Sequence, residues 1–155
     1  MNDTLLEARE ELKRLEHIIY VSLKYTRTVD VLVNALNRMI SVMELIIDAL
    51  LEKAQQENLI TQLPKSPALR ATKLAELYPE DQQFQKYLHF YGFLKNVLKL
   101  PHVKREEFRR HVTLIVEIDH STAEIDIDNL TNAEKYAHRF FKYAWIKIEG
   151  QPEED

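Results

Sequence analysis

The densest run of reactive side chains in this chain is the segment from His102 to His111. Lys104, Arg105, Arg109 and Arg110 place four positive charges there, against Glu106 and Glu107. A guanidinium holds a phosphate through paired hydrogen bonds, and an imidazole moves protons near neutral pH. Metal-independent RNA cleavage needs those parts. The RNA 2′-hydroxyl is the nucleophile, so the enzyme mainly shuttles protons and stabilises the charged phosphate. Arg105 is the candidate clamp, His111 the candidate acid or base, and Lys104, Arg109 and Arg110 the candidate phosphate-binding residues. The simpler reading, which we prefer, is a solvated helix start in which Glu106 and Glu107 face the positive helix end.

A second run, Asp119-His120 through Glu124, Asp126 and Asp128, is rich in metal-ligand types. As a calcium loop read from Asp126 it fails, because Thr131 stands at the sixth position where glycine is needed for the turn. A transition-metal site would need His120 and Glu124 on one helical turn plus partners from elsewhere, and a solvated connector with helix-capping acids explains the run as well. No metal and no cofactor is expected. The six histidines form no HExxH, and the chain has no pair of Glu-x-x-His motifs of the di-iron kind. The four serines have no glycine neighbours, so a nucleophile elbow is excluded.

The whole chain has 155 residues and two glycines, Gly92 and Gly150. That excludes a Walker loop and a dinucleotide fingerprint, and it predicts few tight hairpin turns. The absence of cysteine removes thiol chemistry and fits a cytoplasmic protein. The net charge is −4, and Glu149 to Asp155 hold four acids and no base, so the body is neutral with an acidic, frayed tail. A neutral body binds nucleic acid only through a local patch. The most apolar stretch, Ala35 to Leu51, contains Arg38, Glu44 and Asp48 and is not a membrane span.

The elements that carry these residues read mostly as helices. Leu5, Ala8, Leu12, Leu15, Ile19 and Leu23 form one stripe, ended by Thr26-Arg27-Thr28. Leu32 to Leu50 repeat the pattern on a long helix running to about Asn58, with a broad apolar face suited to a bundle centre or a second subunit. Ser66 and Pro67 cap a short helix that Pro79 stops. A further helix starts near Glu80 or Asp81 and carries Phe84, Tyr87, Phe90, Tyr91 and Phe93, read as packing in preference to a base-stacking platform. Lys104 to Ile118 fits a helix through Phe108, Val112, Ile115 and Ile118. It also fits a strand through Val112, Leu114, Val116 and Ile118; helix is preferred, with a small hairpin near 112–128 as the alternative. Thr131-Asn-Ala-Glu134 reads as the capping box of a last helix striped by Ala133, Ala137, Phe140, Ala144 and Ile148.

This helix order, with Arg105-Glu-Glu-Phe-Arg-Arg-His111 opening the fourth helical region, resembles the HEPN family of prokaryotic helical bundles. The family pattern is Arg-x(4–6)-His at that place. The resemblance spans Leu5 to about Ile148. It implies a bundle of four or five helices, often a toxin of a toxin–antitoxin pair, in which Arg and His from two subunits meet as a metal-independent RNase site. Carried over, Arg105 holds the scissile phosphate and His111 transfers the proton. Other members lack the motif and act as binding partners. Here Glu106, which repels phosphate, follows Arg105 where active members have a small polar residue. On an unbroken helix, residues six apart also lie about 120° from each other. The expectation is therefore an all-α single domain of about five helices over 1–148, with a tail at 149–155. It is expected to act as a cytoplasmic homodimer and a non-catalytic interaction module, associated with RNA or nucleotide. The alternative is a metal-independent endoribonuclease with Arg105 and His111 at the dimer interface.

Overall fold

Asn2 starts the first helix by accepting a hydrogen bond from the Leu5 N–H at 2.9 Å. In the computed structural model, which describes residues 2–150, α1 (Asp3–His17) buries Leu5, Ala8, Leu12 and Leu15, the stripe legible in the sequence. It runs into a π-helical turn at Ile18–Ser22 and a last α turn at Leu23–Tyr25. Thr28 then caps α2 (Val29–Gln56) through the Val31 N–H. At 1.5 Å per residue α2 is about 42 Å long. It ends in a Schellman turn: Leu59 N–H donates to the Ala54 carbonyl and Asn58 N–H to that of Gln55, with Asn58 at φ 61°.

Ser66 caps α3 (Pro67–Leu77) as the sequence predicts, and α4 (Gln82–Lys99), expected to start near Glu80 or Asp81, has Asp81 as its cap. α2 is the central helix and touches the other four, and its apolar face from Leu32 to Ala54 is buried inside this chain. Of the two roles its broad face suits, a bundle centre and a second subunit, the first is the one it fills within this chain. Aromatic rings join α4 to the last helix: Tyr87 stacks on Phe140 at 4.7 Å and 20°, and Phe84 meets the same ring edge-on at 6.1 Å. Among the described residues no helix is long and apolar enough to cross a membrane.

The helix preferred for Lys104 to Ile118 does not form. Three strands, β1 (Val103–Arg105), β2 (Thr113–Ile118) and β3 (Ser121–Ile125), make an antiparallel sheet in that order, so the fold is mostly helical and not purely all-α. The alternating set wins because pairing Leu114 with Ile125 and Val116 with Ala123 lays Leu114, Val116 and Ile125 on the core. Ile118 pairs with Ser121, leaving the two-residue turn Asp119-His120. Both residues have positive φ (48° and 68°), so a tight hairpin forms without glycine. The last helix, α5 (Ile127–Glu149), also starts earlier than its predicted box. Asp126 accepts from the Asn129 N–H and the Asn129 side chain accepts from the Asp126 N–H, both at 2.9 Å. Thr131 lies inside that first turn and donates to the Ile127 carbonyl instead. Of the predicted tail, Glu149 belongs to α5 and accepts from the Asn2 N–H at 3.1 Å, while 151–155 lie outside the described residues.

Candidate nucleic-acid interface

The predicted basic segment is an edge strand and a turn-rich loop. The β1–β2 pairing sets Arg105 opposite Thr113, two residues after His111, so the hairpin brings Arg105 and His111 to one end of the sheet without a helix. The loop is strapped to the junction of α1 and α2. Phe108, 77% exposed and at φ 66°, donates its N–H to the Arg27 carbonyl, and Glu107 accepts from the Val29 N–H at 3.0 Å. Glu107 thereby satisfies a free N–H at the start of α2.

Most of the cations here are answered by acids of the same chain. Arg105 meets Glu124 at 2.7 Å, Arg110 meets Asp128 at 2.8 Å, and Lys104 lies 3.6 Å from Glu107 and 3.8 Å from Asp30. The hydrogen bonds and charges of Arg105 and Arg110 hold the Glu124 and Asp128 carboxyls below their ordinary range. Arg109 and His111 are exposed, and the His111 carbonyl accepts from the Thr113 hydroxyl. Within the acidic run, Asp119 and His120 make the hairpin turn, Glu124 and Asp128 make ion pairs, and Asp126 caps α5.

A different surface gathers positive charge, and among its lysines Lys95 alone is paired with an acid among the described residues. An open groove of about 1230 Å³ lies between α3 and α4, with Ile118 and Asp119 of the hairpin and Tyr136 of α5 also in its lining. Lys86, His89, Lys95 and Lys99 line it, against Asp119 as the one acid. Phe90 and Phe93 stack at 6.4 Å and 19°, and Phe90 meets Tyr136 edge-on at 5.1 Å. Phe93 is 38% exposed, so an aromatic face remains for a ligand. Lys95 sits 3.5 Å from Glu44 and 5.9 Å from the Tyr91 ring, and the Tyr91 hydroxyl donates to Glu44 at 2.6 Å. Burial, with the Glu44 hydrogen bond and charge, pushes the Tyr91 phenol well above its ordinary value, so it stays a proton donor.

Small residues keep the groove open: Ala68, Ala71 and Ala75 on α3, and Gly92 on α4, where no atom lies within 4 Å of an added Cβ. The sequence signal for this face was present but faint. Lys86, His89, Phe93 and Asn96 recur in steps of three and four, marking a second stripe on the helix whose first stripe is core. No family model, curated protein or solved structure matches this chain.

Proposed function

We propose that the protein is a non-catalytic helical module that holds single-stranded RNA in the groove between α3 and α4. One observation carries the reading: Lys86 and Lys99, which make no ion pair among the described residues, share an open groove with the Phe90–Phe93 stack. Lysines neutralise phosphates, and exposed rings stack on bases of any sequence at about 1–3 kcal/mol each. The cations of the His102–His111 segment support phosphate binding less well, because Lys104, Arg105 and Arg110 already face carboxylates. The reading needs one copy of the chain.

The test is fluorescence anisotropy with a short unstructured RNA at several salt concentrations. Two phosphate contacts, at Lys86 and Lys99, give a slope of about −1.4 in log K against log salt on a single strand. Phe93→Ala is expected to weaken binding about tenfold or more, the loss of one stacked base. Arg109→Ala is expected to leave it unchanged. Equal binding by Phe93→Ala, or a loss confined to Arg109→Ala, overturns the groove reading. The same RNA incubated in excess EDTA is expected to stay intact. Cleavage that His111→Ala abolishes would replace this reading with the endoribonuclease one.

A further inference from the structure

Glu134 and His138 stand four apart on α5, which puts their side chains on one face of the helix. Glu16, from the end of α1, meets them there. The His138 Nε2 atom lies 2.7 Å from Glu16 Oε1 and 2.7 Å from Glu134 Oε1. The three ligand atoms lie within 4.8 Å of one another, the only such cluster of three among the described residues. Tyr20 completes the group: its hydroxyl donates to the other Glu134 oxygen, Oε2, at 3.0 Å. Tyr20 belongs to the π-helical turn Ile18–Ser22, and such turns recur where a helix re-aims side chains at a functional site.

Two carboxylates on one imidazole nitrogen make an unbalanced arrangement. That nitrogen carries either one N–H or one lone pair, directed along a single line in the ring plane, so it serves one oxygen well and not two. The Glu134 side chain is only 4% exposed. Burying a carboxylate is costly without a compensating charge, and no Lys or Arg ion pair reaches Glu16 or Glu134 among the described residues. A compact positive charge with several directed bonds would satisfy all three side chains at once.

We propose that Glu16, Glu134 and His138 bind a divalent transition-metal ion of the zinc type, with water in the remaining position. A mixed set of one imidazole and two carboxylates suits such ions, whereas calcium and magnesium take oxygen-only sets. Glu16 and His138 are 39% and 42% exposed, so their arms can open slightly to admit an ion at bonds of about 2.0–2.2 Å, and solvent reaches the open position. Tyr20 orients Glu134 from the outer shell. The ion would tie the first helix of the fold to the last, and the proposal stands independently of RNA binding.

The experiment uses tag-free protein stripped with EDTA and titrated with zinc chloride by calorimetry, with thermal melts in parallel. Binding of one ion per chain is expected, with Tm rising by about 5–10 °C at roughly 100 times Kd. His138→Ala and Glu16→Gln, both at half-exposed positions and checked for helicity by circular dichroism, should lose the Tm shift and bind at least about tenfold more weakly. Tyr20→Phe should keep the site at reduced affinity. Magnesium chloride should give no shift. The proposal is overturned by the absence of saturable binding at about 100 μM zinc. It is also overturned by zinc binding that the folded His138→Ala and Glu16→Gln variants retain in full, which would place the ion on other surface histidines.

Discussion

Replacing Gly92 with alanine should make the protein more stable, and the structure sets the size of the gain. Gly92 lies in the interior of α4 (Gln82–Lys99), far from either cap, where glycine costs about 0.5–1 kcal/mol relative to alanine through backbone entropy. Such a cost is usually offset by close approach of a neighbour or by a positive φ. Neither applies: the residue is helical, and no atom lies within 4 Å of the added Cβ. The methyl would point into the groove, which Ala68, Ala71 and Ala75 keep open from the α3 side. Nothing has to move, so the full helical gain should be realised. For a domain of this size, 0.5–1 kcal/mol is a Tm rise of about 1–4 °C. Differential scanning calorimetry of Gly92→Ala against the parent, at two protein concentrations, measures it. A fall in Tm would refute the reasoning, because it would mean that something occupies the space beside Gly92. A fall that grows with protein concentration would identify that occupant as a second copy of the chain.

Phe140 is fully buried between Tyr87 and Phe84, so Phe140→Ala should cost about 3–5 kcal/mol, read as a shift of the urea midpoint; a cost under 1 kcal/mol would mean that α4 and α5 are not held together by these rings. Burial alone would raise the Asp81 carboxyl, but hydrogen bonds from the Tyr143 hydroxyl and the Phe84 N–H, with the Lys147 charge, outweigh it and hold the group below its ordinary value. Its stabilisation is therefore present above the unfolded value of about 3.9 and is lost as pH falls through the lower folded value. Asp81→Asn, which keeps a good N-cap, should flatten the Tm-against-pH curve below pH of about 4, and an unchanged curve would count against the Asp81–Tyr143 contact. His120 stands at φ 68° in the two-residue turn, so His120→Gly should stabilise by up to about 1 kcal/mol in a denaturant melt, and destabilisation would contradict the left-handed turn.

Where a helix announces itself locally, the sequence was sufficient. Ser66 before Pro67, the stop at Pro79 with a new start near Glu80 or Asp81, and the break at Thr26-Arg27-Thr28 are signals spanning four residues or fewer, and each lies where the structure has it. The segment after Pro101 was not decidable that way, because Phe108, Val112, Ile115 and Ile118 satisfy one period and Val112, Leu114, Val116 and Ile118 another. The choice is made by β1 and β3, partners that no local window contains. Asp119-His120 makes a tight hairpin turn without glycine, since short polar and imidazole side chains also tolerate the left-handed region. The sequence pattern of a capping box is met by Thr131 with Glu134, whereas in the fold Asp126 and Asn129 make the box that starts α5. Only the fold shows Glu134 buried beside Tyr20, a contact between residues 114 apart. The basic segment looked like a phosphate site because its cations are contiguous. Most of the acids that neutralise them, Asp30, Glu124 and Asp128, come from other parts of the chain, with Glu107 inside the segment.

The groove claim is tested most directly by hydrogen–deuterium exchange of the protein with and without a saturating short single-stranded RNA. The account predicts slower exchange along α3 and the α4 face that carries Lys86, His89, Phe93 and Lys99, with the loop between β1 and β2 unchanged. Protection confined to that loop, around Arg105 and His111, with α3 and α4 unaffected, would contradict it.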